Sequence, residues 1–464
     1  MLSMMSSSRT FSTPFALALL AAVLLRAVAC SSTPKTTILA GSTATPPAGP
    51  PVTITWSYWG DPQEKSIDER IITLFEQEHP EIHVVGRWAG FGDYVNAWQQ
   101  WNRQGDAPDV AFLYDVPAYA PSGDIADLTP FIKASAYDTT DFYPALLDDF
   151  RVNGALYGLP RDNDTKVFFY NKDLFDAAHL PYPQPGWTWQ DMERDAKALT
   201  ALDATPARYG LAFEPRDWWK VWVWQNGGEV FDNPTAPTHL ALDAPAAIQA
   251  ITFLRDLIYT DKVTPPYSQL QSSDTIGPMF AAGQIAMAFG NHALVPLFAG
   301  QPNLHWGVAG LPREATQANY AGGAGYIISA HSAHPQAAWT FLTWLLSPKG
   351  EALFTETGLI VPSRRSVGQS NLFLHQGLTQ AVRAANQPGG SGGVPTGPIE
   401  AGTTFLSETE TGRPFVAFPG SDAIVQMIED ALQPVWNSGA DPGPILHALV
   451  PRVDQALAAR AQGR

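Results

Sequence analysis

From Val52 onward the chain alternates between two hydrophobic periods. Val52, Ile54, Trp56 and Tyr58 are interleaved with Thr53, Thr55 and Ser57, a period of two that predicts a strand. Asp61-Pro62-Gln63-Glu64 then combines an N-cap residue, a proline suited to the first helical position and a capping-box carboxylate. Ile67, Ile71, Leu74 and Phe75 follow at helical spacing, and His79-Pro80 stops the run. A second strand is predicted over 82–88, a helix over 93–103, and a third strand over 109–114 that ends on Asp115. Strand–helix–strand–helix–strand in this order predicts an α/β fold with a mostly parallel sheet.

Ligands of such sheets sit outside the carboxyl ends of the strands. The residues just past those ends are Tyr58-Trp59-Gly60, Trp88-Ala89-Gly90 and Asp115. Two indoles, a phenol and a carboxylate are therefore expected at one rim. Further on, Asn153-Gly154 predicts a turn, Val167–Tyr170 a buried strand, 190–199 a helix and 246–259 another. Trp218, Trp219, Trp222 and Trp224 fall within seven residues. At least two of the four must be core, because so short a segment cannot offer them all to one ligand; Trp218 and Trp219, next to polar Arg216-Asp217, are the two expected at the surface. Strands are predicted at 285–289 and 326–329, and helices at 335–346, 423–436 and 445–459. The Gly/Pro-rich stretch 387–397 reads as a loop.

The N-terminus follows a different pattern. Arg9 precedes an eleven-residue apolar run, Phe15–Leu25, and Ala27-Val28-Ala29 is a small-residue cleavage pattern. The run is too short to span a bilayer, so residues 1–29 read as a signal peptide. Cleavage would leave Cys30, the chain's single cysteine, as the new N-terminus and the site for a lipid anchor; the alternative is secretion with a free thiol. Residues 30–51, with five prolines and one charge after Cys30, read as a tether.

Removing 29 of 464 residues leaves 435, which suits two lobes better than one core. The full chain carries 28 basic and 44 acidic residues. The leader holds two of the basic ones, so the mature chain is near 26 − 44 = −18. So acidic a surface repels phosphate backbones and anionic lipid, which argues against a nucleic-acid partner and for attachment through an anchor. One cysteine excludes an internal disulfide and a cysteine-based metal cluster.

Several segments, taken in order, resemble one family. They include Ile54-Thr55-Trp56-Ser57-Tyr58-Trp59-Gly60, Phe75-Glu76-Gln77-Glu78-His79-Pro80, Ala107-Pro108-Asp109-Val110 and Leu156-Tyr157-Gly158-Leu159-Pro160. Phe169-Tyr170-Asn171-Lys172, Gly186-Trp187-Thr188-Trp189, Asn226-Gly227-Gly228-Glu229, Met279–Met287, Gly322-Gly323 with Tyr326-Ile327-Ile328-Ser329, and Val361-Pro362-Ser363-Arg364 continue it. Together they resemble the family-one extracellular solute-binding proteins, the maltose-binding-protein-like receptors of ATP-binding-cassette (ABC) importers. The resemblance implies a two-lobed, type II clamp with discontinuous lobes: 52–160 and 326–366 in the N-lobe, 161–325 and 367–464 in the C-lobe. Three chain crossings are implied near 160–165, 320–327 and 361–367.

It also implies an extracytoplasmic, monomeric receptor that takes a small carbohydrate and hands it to ABC permease subunits, held to the membrane by its lipid. Cofactor and metal are expected to be absent. Where the family often carries a tryptophan, this chain has Gly290-Asn291-His292, so His292 is expected to hydrogen-bond in its place.

A sugar offers apolar C–H faces for aromatic rings and hydroxyls for carboxylates and amides. The expected ligand-binding residues are Tyr58, Trp59, Trp88, Asp115, Asp162, Asp164, Trp218, Trp219, His292, Gly323, Tyr326 and Arg364. Each has a plain structural reading as well: the indoles as lobe core, Asp115 as a helix cap, Asp162 and Asp164 as hinge staples, Gly323 as a turn and Arg364 as surface. The Asp162–Asp164 run lacks the glycine and terminal glutamate of a calcium loop. No Walker loop, Gly-x-Ser-x-Gly elbow or His-Glu-x-x-His is present. Two alternatives remain open at this point: a same-fold receptor for a polyamine or glycerol phosphate, and a secreted glycan-active enzyme using Asp115 with Asp162.

Overall fold

The computed structural model describes residues 50–60, 62–374 and 401–462. The leader, Cys30, most of the tether, the Asp61 cap and the 387–397 segment lie outside the described residues.

Among the described residues, the two larger sheets are built from nine strands: β1 Val52–Trp59, β2 Ile82–Ala89, β3 Val110–Leu113, β4 Leu159–Pro160, β5 Val167–Asn171, β6 Tyr209–Ala212, β7 Ile285–Gly290, β8 Trp306–Ala309 and β9 Gly325–Ile328. They form two sheets, ordered β2-β1-β3-β9-β4 and β8-β5-β7-β6. In the first sheet β1 pairs parallel with β2 and β3, whereas β9 runs antiparallel to β3 and β4. The parallel reading thus holds for the three consecutive strands; the strands that return from other parts of the chain pair the opposite way.

Each sheet has its own core. One is built from residues between Ile54 and Leu159 and between Ala324 and Ile360. The other is built from Val167–Ala318 together with Val361, Phe373 and residues 401–457. The chain therefore changes core three times, between Leu159 and Val167, between Ala318 and Ala324, and between Ile360 and Val361. Short pairings bind these switch segments together: Asp162-Asn163 is antiparallel to Val361-Pro362, and Asn319-Tyr320 is parallel to Gly412-Arg413.

Buried polar groups hold the same region. Asn319 donates to the Lys166 carbonyl (2.8 Å) and to Glu408 Oε2 (2.7 Å), and Asn163 donates to Thr409 (2.5 Å). Glu351 Oε1 accepts from the backbone and hydroxyl of Ser363, both at 2.7 Å.

Local chemistry explains the finer features. Asn153 (φ 49°) and Gly154 (φ 85°) both adopt the left-handed conformation that a two-residue hairpin turn needs, joining Arg151-Val152 to Ala155-Leu156. Along β1 the alternation sends Ile54, Trp56 and Tyr58 into the core. The helix Pro215–Gln225 is broken near its start: Arg216 is extended (ψ 138°) and Asp217 left-handed (φ 64°). Regular helical backbone therefore begins at Trp218, and this sets the direction of all four indoles.

Candidate functional site

A cavity of about 960 Å³ opens between the two sheets, lined by residues of both cores and of the switch segments. Its wall on the first core is aromatic. Trp59 stacks on Phe112 (4.1 Å, 26°) and meets Tyr114 and Phe91 edge-on at 5.7 and 5.8 Å. Phe91 is 63% exposed at the rim. The opposite wall is aromatic too. Trp218, Tyr320 and Phe415 pack as a cluster with centroids 4.5–5.5 Å apart. The Lys166 ammonium lies 3.7 Å from the Trp218 ring centre and is held there by Asp164 at 3.0 Å.

Polar groups sit between these walls. Asp115 follows β3 in a left-handed conformation (φ 52°) that aspartate tolerates, and its side chain caps no helix. It faces the open cavity and so counts as exposed surface, yet protein surrounds it on several sides. Burial and the nearby charge of Asp422 push its pKa up to about 6, against the pull of Lys220.

Asp162 is doubly committed. Its Oδ2 accepts from Arg161 at 2.5 and 3.0 Å, and its Oδ1 from the Ala324 N–H at 2.9 Å. Asp164 pairs with Lys166 and accepts from Asn291. Gly323 lies against Asp162: an added Cβ would fall 2.7 Å from the Asp162 carbonyl oxygen, so the close approach needs glycine. Its N–H donates to Asp149 Oδ2 at 3.1 Å.

The expected residues divide accordingly. Trp59, Asp115, Asp162, Asp164, Trp218, Trp219, His292 and Gly323 line the cavity. Trp219 does so only as backing, contrary to its expected exposure: it is 0% exposed and donates from Nε1 to Glu429 Oε1 at 2.8 Å. His292 is also wall material, packed between Phe373 and Phe405, where burial lowers its pKa to about 4 and keeps it neutral.

Tyr58, Trp88, Tyr326 and Arg364 stand outside the lining. Tyr58 shares the core face of β1, packed on Trp56 at 4.5 Å. Tyr326 is 0% exposed on a strand covered on both faces. Trp88 is the last residue but one of β2, the edge strand farthest from the switch segments, and its Nε1 donates to the Gly60 carbonyl. Arg364 turns into the first lobe, bonded to the Leu346 carbonyl, Tyr137 and Asp141 over the Phe142 ring.

Tyr114, Tyr320, Phe415, Lys220 and Asp422 also line the cavity, unforeseen in the sequence. Tyr114 adjoins Asp115 at the β3 end and was within reach of the strand-end rule. The others arrive from distant segments with no local signature.

Asp149, buried behind Gly323, has its pKa pushed up to about 8 by burial and by the charge of Asp115, with the Gly323 bond opposing. An unfolded carboxylate titrates near 4. Between these values the native state holds a proton that the unfolded state has lost, so this group lowers stability as pH rises from about 4 to 8. Asp149→Asn keeps an acceptor for Gly323 and has no proton to lose. The Tm of the variant minus that of wild type should therefore widen by a few °C between pH 5 and pH 8 and level off above; parallel Tm–pH curves would contradict this.

Comparison with known proteins follows the same lines. Residues 59–352 match the family model described as bacterial extracellular solute-binding protein. The maltodextrin-binding protein MdxE of Bacillus subtilis is 24% identical over 329 residues, covering 68% of this chain and 75% of that one. The sn-glycerol-3-phosphate-binding periplasmic protein UgpB of Escherichia coli K12 is 24% identical over 266 residues, 54% of this chain and 58% of its own. Among solved structures, an ABC substrate-binding protein of Listeria monocytogenes in complex with cycloalternan superposes with a TM-score of 0.72 at 24% identity, covering 88% of this chain and 99% of that one. The two separately cored α/β lobes, the cavity between them and a family match across most of the body agree: the chain belongs to the bacterial extracellular solute-binding proteins.

Proposed function

We propose that this protein is the receptor of an ABC importer and that its solute is a sugar, an oligosaccharide in particular. The observation that carries the reading is the pair of facing aromatic walls, Trp59 with Tyr114 and Phe91 on one lobe and Trp218 with Tyr320 and Phe415 on the other. A sugar ring presents an apolar face on each side, and two lobes closing on it would cover both. The cavity is at the large end of the range for small-molecule sites, which suits more than one ring.

The sugar-binding relatives and structural neighbours support this reading; the likeness to a glycerol-phosphate-binding protein supports the competing one. The site chemistry favours the first. Among the described residues each cation lining the cavity already faces a carboxylate: Arg161 faces Asp162, Lys220 faces Glu429 and Asp217, and Arg216 faces Asp217. A phosphate would have to break those pairs.

Binding without turnover is the proposed role, with lobe closure as a ligand-shifted equilibrium. The apolar leader before Cys30 supports export and a lipid-anchored N-terminus, which would keep the receptor beside its permease. The test is a thermal-shift screen of the mature protein against malto-oligosaccharides, other oligosaccharides, spermidine and glycerol 3-phosphate. A sugar at about 100 times its Kd should stabilise the fold by about 2.7 kcal/mol and be recovered unchanged. A shift with glycerol 3-phosphate or spermidine and with no sugar overturns the assignment.

A further inference from the structure

We propose that the solute carries a positive charge, a protonated amine on a sugar ring, held between Asp115 and Asp422. The inference deepens the sugar reading and rests on it. Asp115 belongs to the first lobe, in the turn after β3, and Asp422 lies in the first turn of the second-lobe helix Ser421–Ser438. Both line the cavity, and among the described residues neither carboxylate makes a hydrogen bond or an ion pair.

In that respect they differ from their neighbours. Arg161, Lys166 and Lys220 each have an acid within 4 Å, so the cavity's positive charge is matched while these two carboxylates are left over. Their mutual repulsion is visible in Asp115, whose ionisation Asp422 opposes and Lys220 favours. The other titratable groups near Asp115 are Asp149, Asp217, Tyr114, Tyr119 and Tyr320, none of them cationic. A lobe-closing clamp that brought two uncompensated carboxylates together around a neutral ligand would oppose its own closure; an ammonium between them removes that opposition.

A further atom on the helix that carries Asp422 calls for a ligand. Glu429 Oε2 is buried without a hydrogen-bond partner, on a residue 1% exposed that lines the cavity. A carboxylate oxygen in that state suits the hydroxyl and ammonium donors of an amino sugar. A linear polyamine would meet the charge but leave the facing aromatic walls without ring faces to cover.

The test compares a glucosamine trisaccharide with its N-acetylated counterpart, a neutral malto-oligosaccharide and spermidine, by calorimetric titration of wild type and Asp422→Asn at pH 7. The amine form is expected to bind at least about tenfold tighter than the acetylated form at pH 7, the scale of a hydrogen bond to a charged group. That advantage should shrink several-fold in Asp422→Asn, a substitution at an exposed position that should fold normally. Equal or tighter binding of the acetylated or neutral sugar, unchanged in Asp422→Asn, overturns the charge inference and leaves the sugar reading standing. Binding of spermidine alone, or of none of the four, overturns both.

Discussion

Trp218→Ala is expected to weaken sugar binding by about 10- to 100-fold while leaving the protein folded. Burying an aromatic face contributes about 1.5–3 kcal/mol, and 1.4 kcal/mol is a factor of ten in Kd. Trp218 is the one member of the tryptophan cluster placed to make that contribution. Trp219, Trp222 and Trp224 are buried in the second core, Trp219 through its bond to Glu429 and Trp222 against Trp189 and Phe213. Trp218 is half-buried, propped by Tyr320 and Phe415, with the Lys166 ammonium on its ring.

Truncation removes the cavity-facing indole and leaves Lys166 still paired with Asp164, so no charge is orphaned. Trp218→Phe should retain most of the affinity, since Phe keeps an apolar ring of smaller area. Calorimetric titration with the sugar that gives the largest thermal shift measures both variants. A change below about threefold in Trp218→Ala would mean that this wall does not touch the ligand.

The division between Trp218 and Trp219 also shows where sequence reasoning stops. Hydrophobic periods exposed the elements, because a strand or helix with one buried face must repeat its apolar residues at two or near 3.6. They therefore foresaw β1, β5 and the helix at 245–259 to within a residue or two. Strand ends pointed to Trp59 and Asp115, since position along a strand is local information. The same rule misplaced Trp88, because which strand lies at the sheet edge depends on pairings with β9 and β4, hundreds of residues away in some cases.

A strand end points Tyr58 to the cleft and the second crossing points Tyr326 there, yet strand alternation and two-sided cover send them inward. The indole that would show was decided by the backbone break at Arg216-Asp217, which a polar dipeptide does not reveal. Tyr320, Phe415 and Asp422 meet the first lobe's residues only through chain crossings, so no spacing in the sequence marks them.

The crossings carry the second large effect. Arg161→Ala is expected to cost about 3–5 kcal/mol, the range for removing one partner of a buried ion pair, and to lower Tm by roughly 5–10 °C. The guanidinium lies between the Phe112 and Phe354 rings, 3.8 and 4.9 Å from their centres. Burial alone would lower its pKa, but Asp162, Tyr326 and Glu64 raise it above the ordinary arginine value, so the charge stays.

The neighbouring Asp68 is pushed well above the usual carboxylate range by burial, against the pull of Arg161. Asp162 is therefore the acid that would be stranded when the arginine is removed. Its other oxygen anchors the Ala324 N–H, and the Arg161 N–H donates to the Ala324 carbonyl at 3.0 Å, so one ion pair ties the first crossing to the second. Arg161→Lys should recover only part of the loss, because an ammonium cannot donate from a planar fork while stacking on two rings. In a double-mutant cycle, Asp162→Ala should cost markedly less in the Arg161→Ala background than in wild type, since the stranded charge goes with it. Additive losses would show that the two side chains act independently, and that the crossings are joined by their backbone pairing alone.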